Sequence, residues 1–262
     1  MPKSSSSIRE ITKAPLDFVE LNLDSKRLKE LNPVIKDCLN LEILSLQANK
    51  LTSIPDWIGA LSQLKTLELG GNQLESLPEE IGSLTQLKTL SLGGNPIKKL
   101  PDTLGDLKNL EQLKVDDGQL TSFPDSLGAL ANLKVLDLFR NPIKTFLEDV
   151  SGLAKLTSLN VSQTQLSAFP KSICSLTNLE YLAISSDAIT AIPEDIKNLS
   201  HLKQFVLSGC PITAFPESIS LLKNLEELSL YDTKIPVESA KSLFEKMPNL
   251  VRLEHPDAYL SR

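Results

Sequence analysis

A leucine returns every 23 residues, at Leu41, Leu64, Leu87, Leu110, Leu133, Leu156, Leu179, Leu202 and Leu225, and Phe18 stands one period earlier. A period this strict makes the chain one unit repeated, in which each copy buries its apolar side only by stacking on the next. The expected architecture is a solenoid rather than a globule closed around one centre.

Around each anchor the same spacing recurs, as in Leu64-x-x-Leu67-x-Leu69-x-x-Asn72-x-Leu74-x-x-Leu77-Pro78-x-x-Ile81-x-x-Leu84. Positions four and six are apolar with a polar or small residue between them, as in Leu44-Ser45-Leu46 and Leu90-Ser91-Leu92, which is the period-two pattern of a half-buried strand. Every strand recurs after a crossover of the same length, so neighbouring strands should run parallel and in register. The second half, Ile54-Pro55-Asp56-Trp57-Ile58-Gly59-Ala60-Leu61 for example, carries a proline that fixes φ and removes an amide donor, then apolar residues spaced by three. That predicts a turn of tight helix on the opposite, convex side, and the longer outer path bends the stack. About ten units at roughly 4.8 Å per strand give an inner arc of about 50 Å, room for a protein or an extended peptide and too open to close over a metabolite.

These motifs resemble the leucine-rich repeat family over residues 18 to 253. The second halves from Leu77 to Leu84 and from Leu100 to Leu107 are similar to the short-repeat class found in intracellular Ras-binding scaffolds and in many bacterial proteins. The resemblance implies an α/β horseshoe with a parallel β-sheet on the concave face and short helical or 3-10 segments on the convex face. It makes a GTPase or another signalling protein one possible partner. Such repeats host unrelated partners, so function has to be argued from the site.

The expected organisation is a tail and cap over 1–17, ten repeats over 18–247 with the last irregular, and a half-repeat and cap over 248–262. At the N-terminus Ile8, Ile11 and Leu16 should form a small lid behind a flexible serine run, Ser4 to Ser7. At the other end Ala240, Leu243, Phe244 and Met247 share one face of a helix beginning after Pro236, which reads as a cap. Seven repeats keep the proline (Pro55, Pro78, Pro101, Pro124, Pro170, Pro193, Pro216), whereas the unit at Leu133 has Phe146-Leu147-Glu148 in its place. Asn49, Asn72, Asn95 and Asn141 follow the strands, where a buried amide can satisfy backbone groups of adjacent turns. The equivalent positions hold Lys26, Gly118, Thr164, Asp187, Cys210 and Thr233, so the C-terminal half should exchange its amides faster.

Several function classes find no support. No apolar run approaches a membrane span, and the start of the chain, Met1-Pro2-Lys3 and the serines, has no apolar signal core. Cys38, Cys174 and Cys210 lie far apart and read as buried reduced thiols, which favours a reducing, cytoplasmic compartment. His201 and His255 are the only histidines, without a neighbouring nucleophile motif or metal-ligand spacing, and Asp116-Asp117-Gly118 lacks the other ligands of a calcium loop. Gly70-Gly71 and Gly93-Gly94 lack the Gly-Lys-Ser/Thr ending of a phosphate loop. The expectation is a binder with no catalytic residues, cofactor or metal.

Recognition is then expected at the third, fifth, seventh and eighth positions of each unit, which point from the concave face. These hold Glu20, Asp24, Glu68, Asp116, Asp117, Asp137, Glu227 and Asp232 against Lys114 and Arg140, while second-position Glu42, Glu111, Glu180 and Glu226 cancel Lys65, Lys88, Lys134 and Lys203. The face repels nucleic acid and anionic lipid and attracts a partner presenting Lys or Arg, although excess acid also serves solubility alone. The candidate contact set is Glu68, Lys114, Asp116, Asp117, Asp137, Phe139, Arg140, Tyr181, Val206, Tyr231 and Asp232. In register Lys114 falls beside Asp137 and Asp117 beside Arg140, ion pairs worth about 0–1 kcal/mol each, while Phe139 faces solvent beside an arginine in the manner of an interface hot spot. A runner-up reading makes the chain the substrate-recognition part of a bacterial effector or ubiquitin ligase, delivered into a host cell without a cleaved signal peptide.

Overall fold

In the computed structural model, which describes residues 3–262, nearly every 23-residue period forms one short strand and one turn of 3-10 helix. The chain divides into two compact units, between Leu133 and Lys134.

The first unit carries β1 (Lys3–Ser5), β2 (Phe18–Asn22), β3 (Ile43–Ser45), β4 (Thr66–Glu68), β5 (Thr89–Ser91) and β6 (Gln112–Lys114), all parallel. The register pairs Leu21 with Leu44, Leu44 with Leu67, Leu67 with Leu90 and Leu90 with Leu113, so one sequence position becomes one column of fully buried leucines. Each such side chain contributes roughly 1.5–3 kcal/mol of burial.

Pro55, Pro78, Pro101 and Pro124 stand in extended conformation immediately before the 3-10 turns Asp56–Ala60, Glu79–Ser83, Asp102–Asp106 and Asp125–Ala129. The ring fixes φ for that entry and the lost amide has no partner to forfeit. The glycine inside each turn has a steric cause. A Cβ on Gly82 would come within 2.6 Å of the Thr103 Cβ and carbonyl oxygen, and one on Gly105 within 2.5 Å of the Ser126 Cβ.

At the N-terminus the structure corrects two expectations. Part of the serine run is strand: β1 pairs with β2, and the buried Ser5 hydroxyl donates to Glu10 Oε2 at 2.6 Å. Behind it the short helix α1 (Ile8–Ile11) buries Ile11, while Leu16 is 55% exposed and closes nothing. Met1 and Pro2 lie outside the described residues.

The second unit carries β7 (Val135–Asp137), β8 (Ser158–Val161), β9 (Tyr181–Ile184), β10 (Gln204–Val206), β11 (Glu227–Ser229) and β12 (Arg252–His255) in parallel, and β13 (Ala258–Ser261) returns antiparallel to β12. Its 3-10 turns are Lys171–Ser175, Glu194–Asn198 and Glu217–Leu221. Among the described residues no 3-10 turn follows β7. There Phe146, Leu147 and Val150 turn inward and fill the space instead. The helix foreseen after Pro236 is α2 (Val237–Lys246), which buries Ala240 and Leu243, with Met247 buried just beyond it.

The asparagines act as the sequence suggests. The Asn72 amide donates to the Leu46 and Leu69 carbonyls, and its oxygen accepts from the Leu51 amide; Asn49 and Asn95 repeat the pattern. In the second unit Thr164 and Thr233 hold only a carbonyl of their own turn, and the buried Ser186 takes the place expected for Asp187 by donating to the Leu166 carbonyl.

Candidate partner-binding face

Parallel register lines up equivalent side chains across the strands. In the second unit the fifth positions form the row Asp137, Asn160, Ala183, Val206, Ser229 and Glu254. Two residues further along each of the first five strands stand Phe139, Ser162, Ser185, Ser208 and Tyr231, an aromatic at each end of three serines. Small side chains between large ones leave a depression of about 340 Å³. Phe139, Tyr181, Val206 and Asp232 line it together with Asn160, Gln163, Ala183, Gly209 and the three serines.

The walls are held from outside. The Arg140 guanidinium carbon stands 5.2 Å from the Phe139 ring centre, a cation–π distance, and Arg140 Nε donates to Gln163 Oε1 at 2.8 Å. Phe139 is therefore part-buried, with one face taken by its own arginine. The Tyr181 hydroxyl is raised above its ordinary pKa by burial and by the Asp137 carboxylate, so it stays a neutral donor. The Asp137 side chain accepts from the Phe139 amide at 3.1 Å, which fixes the strand exit. Ser162 Oγ is buried in this wall without a hydrogen-bond partner.

Beyond the depression lies an acidic end. Glu227 is taken by Arg252 at 2.8 Å and accepts from Gln204 Nε2 at 3.0 Å. Asp232 and Glu254 have no ion-pair partner among the described residues. Tyr231, 46% exposed, stands beside Asp232.

On the first unit Glu68 accepts from Gln47 Nε2 at 3.1 Å. The Asp116 carboxylate lies over Gly93, where a Cβ would meet its Oδ1 at 2.4 Å. Asp117 occupies the left-handed region at φ 50°, as Arg140 and Asp232 do at 55° and 56°, so these three eighth-position side chains leave the strand at the same turn. Lys114 ends β6 and is exposed. Asp24 accepts from the Ser45 hydroxyl and the Gln47 amide, both at 2.7 Å, and is occupied in holding the sheet. Second-position charges neutralise one another where they pair: Lys65 with Glu42 at 2.8 Å, Lys88 with Glu111 at 3.8 Å, Lys203 with Glu180 at 2.8 Å.

Two features escaped the sequence reading. The serine row was visible as Ser162, Ser185 and Ser208 at intervals of 23 but lacked charge or aromaticity to draw notice. A second ladder stands just before the anchors, where Asn40, Asn109, Asn132, Asn178 and Asn224 each donate to a carbonyl one repeat back. His201 occupies the same position, its Nδ1 3.0 Å from the Thr177 oxygen, so it is a ladder residue. His255 is buried, with Nε2 2.8 Å from the Ile235 oxygen and Nδ1 3.1 Å from the Asp257 amide, the arrangement of a structural imidazole.

All three cysteines are free and buried. Burial raises each thiol, Cys174 to about 12, which removes the thiolate that nucleophilic chemistry requires. Among the described residues no group of three or more His, Cys, Asp or Glu is placed to hold a metal ion, and no helix is long and apolar enough to cross a membrane.

Comparison with known proteins agrees with this anatomy. A leucine-rich repeat protein of Leptospira interrogans is 26% identical, with 97% of this chain covering 88% of that one at a TM-score of 0.58. The TDR receptor is 25% identical at a TM-score of 0.80, with 97% of this chain covering 45% of that one. The ectodomain of the plant receptor kinase GASSHO1/SCHENGEN3 from Arabidopsis thaliana, solved with CASPARIAN STRIP INTEGRITY FACTOR 2, shares the fold at 24% identity and a TM-score of 0.72, with 97% of this chain covering 34% of that one. No curated relative matches by sequence. The model of a leucine-rich repeat region matches residues 25–168, more than half of the chain, and the chain belongs to the leucine-rich repeat family.

Proposed function

We propose that the chain is a non-enzymatic module that binds another protein, one presenting a basic surface, through the outward face of its sheet. The observation that carries this is the distribution of charge. Second-position Glu42, Glu111 and Glu180 pair with lysines and cancel, whereas Glu68 and Asp116 on the first unit and Asp232 and Glu254 on the second face outward without an ion-pair partner among the described residues. Unpaired carboxylates on each unit steer and orient a cationic partner and disfavour phosphate backbones. The three free thiols support residence in a reducing compartment.

The test is capture from lysate at low and high salt, with the wild-type protein beside a Glu68→Gln, Asp116→Asn, Asp232→Asn, Glu254→Gln variant and a Phe139→Ala, Tyr181→Ala, Tyr231→Ala variant. The expected partner is weakened by salt and lost from both variants. A partner held equally by all three proteins at both salt concentrations overturns the reading.

A further inference from the structure

The serine row gives the second unit something that an acidic surface alone does not supply, a trough of defined length with different chemistry at its two ends. We infer that it accepts an extended segment of the partner, lying across β8, β9 and β10. That segment carries an apolar side chain and, three to five residues away, a lysine or arginine. The inference rests on the protein-binding reading above and specifies its ligand.

The argument is dimensional first. From Ser162 to Ser208 is two strand spacings, about 10 Å, and from the Phe139 row to Asp232 is four, about 19 Å. An extended chain advances about 3.3 Å per residue, so about six residues cover the trough.

Chemistry then distinguishes the ends. Tyr181 and Ala183 on β9, with Val206 on β10 and the free face of Phe139 after β7, form an apolar seat centred on β9. Asp232 and Glu254 stand two to three strands further on, about 10–14 Å away, the distance spanned by three to four extended residues plus the reach of a basic side chain. Between them the hydroxyls of Ser185 and Ser208, the latter 3.3 Å from Ser229 Oγ, stand beside the path that the segment's backbone would take, while Ser162 Oγ is buried beneath it. Hydroxyls donate and accept in any rotamer, so they can pair with amide and carbonyl groups without fixing the intervening side chains. Gly209 keeps the path open, since a Cβ there would stand 3.1 Å from Ser185 Oγ.

The probe is a library of random 12-residue peptides selected on the intact chain, followed by anisotropy titration of the enriched peptides. Wild-type protein should enrich sequences that pair an apolar residue with Lys or Arg at a spacing of three to five. Alanine at that basic residue should weaken binding to wild type at least tenfold and to Asp232→Asn, Glu254→Gln less than threefold. Ser208→Trp, which fills the floor without altering charge, should weaken the same peptides at least tenfold, and Ser185→Phe provides a second filled trough should the first variant melt early. Absence of enriched peptides, enrichment without the spacing, or equal binding to the filled variants overturns the inference. A lysate partner that stays sensitive to salt and carboxylate loss but is retained by Ser208→Trp would leave the broader reading standing while removing this one.

Discussion

Arg262 closes the C-terminal end of the second unit by holding Phe244 in two ways at once. Its guanidinium donates to the carbonyls of Phe244 and Met247, the latter at 2.8 Å, and its carbon stands 4.3 Å from the centre of the Phe244 ring. The last carbonyls of a helix have no intrahelical donor, and a cation there also meets the negative end of the helix dipole. Replacing Arg262 with alanine should cost about 1–2 kcal/mol. Urea denaturation reads the loss, and hydrogen exchange should show it first in the last turn of α2. A loss below 0.3 kcal/mol would mean that solvent replaces the side chain.

Gly82 and Gly105 predict an unusual cost for a small change. Alanine is the better helix former, yet at Gly82 its methyl would need the space that Thr103 occupies 2.6 Å away. The neighbour there is partly backbone, and the Thr103 hydroxyl is tied to the Glu79 carbonyl at 2.6 Å, so it yields poorly. Gly82→Ala should destabilise by about 1–3 kcal/mol, the range for overpacking. Thermal melting of this variant beside Ala60→Gly, at an exposed turn position, separates crowding from propensity.

The asparagine ladder predicts where the fold is held most firmly. Asn72 satisfies two carbonyls and one amide in adjacent turns. Asn72→Ala strands buried groups and should cost about 2–4 kcal/mol. Thr164→Ala loses a single bond, to the Val161 carbonyl, and should cost about 1 kcal/mol. The same asymmetry should appear as faster amide exchange around Thr164 and Cys210 than around Asn72 and Asn95. Uniform protection would show that leucine packing, rather than the ladder, sets local stability.

The fold could be read from the sequence because its two causes are periodic. Spacing of two through Leu44 and Leu46 and the proline at one fixed place each recur often enough to be seen against drift. The helix after Pro236 occurs once, but Ala240, Leu243, Phe244 and Met247 give it an internal helical period. The β12–β13 hairpin and β1 could not be read, since each occurs once without such a period, and the β1 sequence Lys3-Ser4-Ser5 has no β propensity; its pairing with β2 is decided by the sheet edge it covers. On the candidate face, four of the eleven residues picked out by charge, aromaticity or position, Phe139, Tyr181, Val206 and Asp232, line one depression, and the other seven do not. The depression itself follows from residues that are small, and a missing side chain leaves no mark until its neighbours are placed around it.

Cys174 predicts how stability responds to alkali. Burial is the largest cause of its raised pKa, with the Asp195 carboxylate adding to it and Lys171 opposing, and the thiol reaches about 12 against an unfolded value of about 8.5. The folded chain therefore keeps a proton that the unfolded chain gives up, and stability present below about pH 8.5 is lost as pH rises toward 12. The slope from one such group is about 1.4 kcal/mol per pH unit. Cys38 and Cys210 are shifted in the same direction by the same cause, so they steepen it. Denaturant midpoints measured from pH 8 to 10.5 should fall for the wild type, and Cys174→Ala, less stable at pH 7 by its lost sulfur contacts, should fall less steeply. Parallel slopes in the two proteins would show that the Cys174 thiol ionises in place, and thiol labelling at pH 8 should then succeed on the folded chain.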